Sequence, residues 1–194
     1  EILKGLAPLF VDQKIKKHGH DMKNTLILLA GKSVEMKGLG CDTMVASYIL
    51  NPARHSFELA DVVRDHLSKQ IPAAKDVIGS GAKAIPFGVI PVEKIMDYAC
   101  RRVDAIFALS AGLSEKIVRD GFADLYYQVE MPLVSVLAAM EKKGVLLNTG
   151  LLNEMSAEIE QLMSLTEEKI YGLAGEKFNI NSPKQLQSIL FEKL

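Results

Sequence analysis

Four histidines, two cysteines and a scatter of carboxylates are the side chains of this 194-residue chain whose types could do chemistry. His18, His20, His55 and His66 lack the paired spacing of metal ligands and read as packing or surface residues. Cys41 and Cys100 stand far apart without Cys-x-x-Cys spacing, which gives no zinc site and fits a reducing compartment. The stretch GSGAK (Gly79 to Lys83) hints at a phosphate loop, but no Lys-Ser/Thr pair follows at a helix start, so it reads as a flexible loop. Asp42 and Thr43 have the look of a helix cap, not of a nucleophile and its base. Lys14, Lys16, Lys17, His18, His20 and Lys23 could meet phosphate, although such a run reads first as a solvated face.

The elements that must position these side chains are mostly helical. EILKGLAPLF suits a short helix, a short strand is expected near Ile15, and HDMKNTLILLAG reads as a helix stopped by Gly31. Ser33 to Cys41 is extended. Asp42 caps a helix that ends at Asn51-Pro52, and Ser56 is expected to cap SFELADVVRDHL. Ile71 to Pro91 is loop-like, with no sustained period. One or two helices follow, with Ile95, Ala99, Val103, Ile106 and Leu109 at helical spacing. Pro132 is placed to open a helix that Gly144 stops. A long helix runs from Thr149 to Gly172 or Gly175. Ser182, Pro183 and Gln185 have the spacing of a capping box.

With 48% hydrophobic residues the chain can bury a substantial core, and 23 basic against 24 acidic residues leave no global field. No apolar run approaches the roughly 18 residues of a membrane span, and nothing resembles a signal peptide, so no membrane partner and a cytoplasmic location are expected. Position 1 is glutamate, and Leu194 ends an amphipathic run without a stop signal, which suggests an excerpt of a longer protein.

The run EMPLVSVLAAMEKKGVLLNTGLL followed by EKFNINSPKQLQSILFEKL resembles the start of the polymerase domain in bacterial family A DNA polymerases. Upstream, GHDMKNTLILL, CDTMVASYILNP and YACRRVDAIFAL resemble the 3′–5′ exonuclease domain that precedes it, so the resemblance covers nearly the whole chain. Its specific parts are CDTMVASYILNP and NSPKQLQSILFEKL. It implies an α/β, ribonuclease H-like exonuclease fold that is incomplete here and mostly α, over residues 1–125. The helical start of the polymerase domain would then occupy 126–194, with Tyr126 and Tyr127 as packing anchors at the junction.

The exonuclease of that family holds two divalent ions on four carboxylates. Its Asp-x-Glu pair has no counterpart in this sequence, and the strands that carry it are expected before Glu1. In its Asn-x-x-x-Asp motif the resemblance puts Asp21 on the asparagine and Thr25 on the aspartate; in Tyr-x-x-x-Asp it puts Tyr98 on the tyrosine and Arg102 on the aspartate. Arginine has only donors and stays charged. At about 4 Å and an effective dielectric near 20 it repels a divalent ion by roughly 8 kcal/mol. Asp104, two residues on, lies about 200° round a helix and cannot substitute. Asp21 shares a face with Thr25; it reads as a helix N-terminal aspartate satisfying free N–H groups, with a displaced metal ligand as the alternative.

The expectation is therefore a scaffold segment of a DNA-directed DNA polymerase. It holds a degenerate proofreading domain with the vestigial positions Asp21, Thr25, Tyr98 and Arg102, no catalytic residue, and no metal or cofactor of its own. The parent is expected to be a monomer that uses Mg²⁺, a DNA primer-template and deoxynucleotides. The competing readings are an active metal-dependent 3′–5′ exonuclease with displaced ligands, and a helical interaction module unrelated to polymerases.

Overall fold

The computed structural model describes residues 2–193. In chain order it has helix α1 (Ile2–Val11), strand β1 (Lys17–Gly19), α2 (Met22–Ala30), β2 (Leu39–Asp42), α3 (Thr43–Leu50), α4 (Leu59–Leu67) and α5 (Ala74–Ile78). Then come α6 (Val92–Arg119), α7 (Met131–Lys143), α8 (Thr149–Ala174) and α9 (Pro183–Ser188). Packing divides it into two compact units, Glu1–Gly144 and Val145–Leu194. Among the described residues no helix is long and apolar enough to cross a membrane.

In the first unit β1 and β2 pair in parallel, with Lys17 opposite Leu39, His18 opposite Cys41 and Gly19 opposite Asp42. Parallel neighbours need a crossover, and α2 is that crossover. The return to β2 passes through Gly38 at φ +68°, where a Cβ would stand 2.6 Å from the Ile15 carbonyl oxygen. Only glycine fits such an approach. α6 then crosses this unit with Ala105, Leu109, Leu113 and Ile117 buried at every fourth position. They pack in one core with Met22, Cys41, Ala46, Ile49, Leu59, Val62 and Val63. α6 is one unbroken helix, the simpler of the two arrangements its periodicity allows.

Asp42 caps α3 as expected, its carboxylate accepting from the Met44 and Val45 N–H groups. It also accepts from the Asp21 N–H at 3.1 Å and the Met22 N–H at 2.7 Å, so one buried carboxylate caps α2 as well. This displaces Asp21 from the capping role expected of it. Asp21 stands at the N-cap of α2 in the left-handed region, φ 58°, without a side-chain cap bond, and its carboxylate receives the Asn24 side-chain amide instead.

Four other local expectations shift. The α4 helix starts at Leu59, and the Ser56 hydroxyl accepts from the Glu58 N–H ahead of it. The Ile71–Pro91 stretch contains α5 and two 3-10 turns, Gly81–Lys83 and Phe87–Val89, too short to show a period. Pro132 continues a helical path rather than opening one: a π turn, Leu125–Glu130, runs directly into α7. A proline without an N–H disturbs the bonding of the turn before it, and widening to π geometry accommodates that. Finally, the first unit runs past the division expected at residue 125. Tyr126 is fully buried, Met131 and Val134 join the same core, and α7 packs along α2 and β2.

In the second unit Asn148 caps α8 through the Leu151 N–H, and Gly175 closes it at φ 73°. Tyr171 and Phe178 meet edge to face at 5.9 Å. Ser182 caps α9 by accepting from the Gln185 N–H, but the Gln185 side chain reaches back to the Asn179 N–H at 2.8 Å, so the box closes on a residue three positions earlier than expected.

Replacing Asp42 by alanine strands buried N–H groups of two helices and is expected to cost about 2–4 kcal/mol in urea unfolding. Asp42→Asn keeps one acceptor oxygen and should recover about half of that loss. Tyr126→Phe, which deletes the hydroxyl bonded to the Asp42 backbone, should cost about 1–2 kcal/mol. A change below about 0.5 kcal/mol for Asp42→Ala would contradict the double cap.

Candidate functional site

The turn from β1 into α2, the segment before α4 and the middle of α6 face one another across a cleft of about 480 Å³. α2 contributes Asn24, Thr25 and Leu28, with His20 and Asp21 just before it; the α4 side contributes Ser56, Phe57 and Glu58. Arg102 enters from α6 and Met44 from α3. Three of the four positions singled out from sequence, Asp21, Thr25 and Arg102, therefore line one cleft. Tyr98 lies behind them. It is half-buried, its ring carries the Arg102 guanidinium at 5.2 Å, and it stacks on Phe87 at 5.7 Å. A cation over an aromatic face is a favourable contact, so Arg102 is held at the cleft wall by its own helix.

The cleft floor is ordered by the same carboxylate that joins the strands and helices. The Thr43 hydroxyl lies 3.1 Å from the Gly19 carbonyl oxygen and 2.9 Å from His20 Nδ1. The His20 contact is a hydrogen bond in either tautomer, with Thr43 accepting from Nδ1–H or donating to a bare Nδ1. Burial holds the His20 pKa below its usual value, outweighing the opposing pull of Asp42 and the Phe57 backbone. Beneath it, the Tyr126 hydroxyl accepts from the Asp42 N–H at 3.0 Å and lies 3.3 Å from Cys41 Sγ. Burial pushes both the Cys41 thiol and the Tyr126 phenol up, so neither is a nucleophile at neutral pH.

Chemically the cleft is mixed. Asp21 and Glu58 are acidic, Arg102 is basic, and Asn24, Thr25 and Ser56 are neutral. Among the described residues no three His, Cys, Asp or Glu side chains gather as a metal-binding group. A divalent pair does not fit this set: the α6 side offers a guanidinium, which repels cations, and the α2 side offers a neutral hydroxyl. Asn24, Phe57 and Glu58 were not identified from sequence, and His20 was read only as a packing or surface residue or a phosphate contact. Asn24 lies inside the recognised Asp21–Thr25 motif and could have been read from its helical phase; Phe57 and Glu58 arrive from a separate segment with no local signal.

Residues 4–109 match the family model "DNA polymerase I, ribonuclease H-like domain", and residues 149–194 match "DNA polymerase family A". Among curated proteins, DNA polymerase I of Geobacillus stearothermophilus is 36% identical over 184 residues, 94% of this chain and 20% of that protein. DNA polymerase I of Pseudomonas aeruginosa is 34% identical over 196 residues, 100% of this chain and 22% of that protein. The chain thus spans about a fifth of the length of these relatives. Among solved structures, the POL domain of Pol1 from M. smegmatis, in complex with DNA primer-template and dNTP, aligns with a TM-score of 0.74 at 27% identity. That alignment covers 98% of this chain and 30% of the other.

A histidine held neutral by burial makes stability pH-dependent. The unfolded chain takes up the proton near pH 6.5, above the folded pKa of His20, so its contribution is intact above about pH 6.5 and is lost as pH falls through the folded value. Urea midpoints should therefore drop between about pH 7.5 and pH 5.5, and His20→Gln should show a smaller drop. Equal drops in both proteins would contradict the buried neutral imidazole.

Proposed function

This chain belongs to the DNA polymerase I family, with the ribonuclease H-like domain over residues 4–109 and the family A polymerase domain from residue 149, and from that premise we propose that it is the scaffold segment of a DNA-directed DNA polymerase whose proofreading site has decayed. The parent enzyme adds deoxynucleotides to a primer end on a DNA template, in the cytoplasm, as a monomer, using Mg²⁺ in its polymerase site. The carboxylates of that site lie outside this stretch. Residues 1–125 are the exonuclease-like part and 126–194 the start of the polymerase domain, although α7 packs with the first of these.

The observation that carries the reading is Arg102 at the wall of the cleft, opposite Thr25 and Asp21. Two-metal hydrolysis needs carboxylates that both ligate the ions and offset their charge. Exchanging two aspartates for threonine and arginine changes the local charge by three units, from −2 to +1. Asp21 alone cannot restore it, and its carboxylate is already engaged by Asn24. On this reading the ribonuclease H-like fold draws further strands from outside this stretch. Two features support that. Among the described residues the sheet has two strands, and α6 exposes a second apolar stripe, with Val92, Met96, Val103 and Phe107 all more than half exposed.

Calorimetric titration with Mn²⁺ should be flat at about millimolar concentrations for the natural sequence. Thr25→Asp combined with Arg102→Asp should gain measurable affinity. Tight two-site binding by the unaltered chain would instead favour the displaced-ligand exonuclease.

A further inference from the structure

The wall of the cleft formed by residues 56–58 hangs on a single buried arginine. Arg54 has a side chain only 8% exposed. Its Nη1 donates to the Ser47 hydroxyl of α3 at 3.0 Å and lies 3.3 Å from His66 Nε2 of α4; its Nη2 donates to Asp65 at 2.7 Å. The guanidinium also sits 5.9 Å from the ring centre of Phe57, which packs edge to face on Tyr48 at 5.4 Å. One side chain thus ties the segment after α3 to both α3 and α4, and carries a cleft residue on its face.

Arginine has no acceptor atom. Its contact with His66 is therefore a hydrogen bond only when Nε2 holds a lone pair, in the neutral Nδ1–H form. When the Nδ1–H form takes a second proton on Nε2 it becomes imidazolium, and two cations then face each other 3.3 Å apart. We propose that the Arg54–His66 contact is a proton-sensitive latch that holds the 51–58 segment, and with it the Phe57 wall of the cleft, closed at neutral pH and releases it in mild acid.

The surroundings favour this direction. His66 is half-buried and opens onto a separate cleft of about 370 Å³ between α4 and α6, which gives protons a route. Across that cleft stand Lys116, Arg119 and Glu115 of α6; on its own helix stands Asp65. Asp65 is already engaged by both Arg54 and Arg64, and Arg119 pairs with Asp120. Burial, then Arg54 and Lys116, hold the His66 pKa below its usual value against the pull of Asp65. His66 is thus neutral at pH 7, and the contact is lost as pH falls through its lowered pKa. The latch stands on hydrogen-bond chemistry in this unit and does not depend on the proposed loss of proofreading.

Amide hydrogen exchange on the 194-residue chain tests it, with rates divided by the intrinsic rate at each pH. The reporters are the Arg54 N–H on the Asn51 carbonyl and the Glu58 N–H on the Ser56 hydroxyl. Protection over 53–58 should fall about five- to tenfold between pH 7.5 and pH 5.5 in the natural chain, tenfold being roughly the ceiling for one histidine. In His66→Gln, whose amide oxygen still accepts from Arg54 but cannot titrate, it should fall less than about threefold. Equal loss in both chains overturns the latch. Nitrogen-15 shifts of the natural chain add a test that needs no variant: at pH 7.5 His66 should carry its proton on Nδ1, and an Nε2–H tautomer overturns the proposal outright.

Discussion

One buried carboxylate organises the first unit. Asp42 ends β2, begins α3 and accepts from the first N–H groups of α2, while its own backbone is bonded by Tyr126 from the far side. A carboxylate taken out of water needs several donors, and a helix start leaves donors without partners. Here each need answers the other. The consequence is geometric: the starts of two helices, one strand end and the turn before α7 converge on one residue. The turn that carries His20 and Asp21 into α2, and with it Thr25, is thereby anchored on Asp42, and the Thr43 contact to His20 adds to that anchor.

What was legible in the sequence was whatever depends on near neighbours. Asp42 as the cap of α3, the stops at Gly31, Gly144 and Gly175, and the length of α8 follow from spacing within a turn or two. What was not legible depends on distant partners. The second role of Asp42 uses donors some twenty residues upstream, and the Gln185 side chain chose Asn179 over the cap residue. Packing around the division drawn at residue 125 depends on distant partners too: the proline at 132 looked like a helix start, yet a π turn runs into α7 and a buried Tyr126 binds that turn into the core. At the site, the resemblance brought Asp21, Thr25 and Arg102 to one cleft, while Phe57 and Glu58 reached it from a segment held by Arg54.

The cleft and its supports bear on the function in different ways. The supports are intact: every buried side-chain nitrogen or oxygen among the described residues has a hydrogen-bond partner. The walls of the cleft carry Thr25 and Arg102, a neutral hydroxyl and a guanidinium, where the resemblance puts metal-binding aspartates. On the proposed reading, the packing around the cleft serves as scaffold while its walls no longer hold cations.

The central claim, that this cleft no longer supports metal-dependent hydrolysis, is tested most directly on the full-length enzyme with a 3′-labelled, mismatched primer, divalent metal and no nucleotides. Label should remain on the primer through an incubation long enough for extension to go to completion once nucleotides are added. Metal-dependent release of label by the natural enzyme, abolished by Asp21→Ala, would contradict the account and make Asp21 a working ligand.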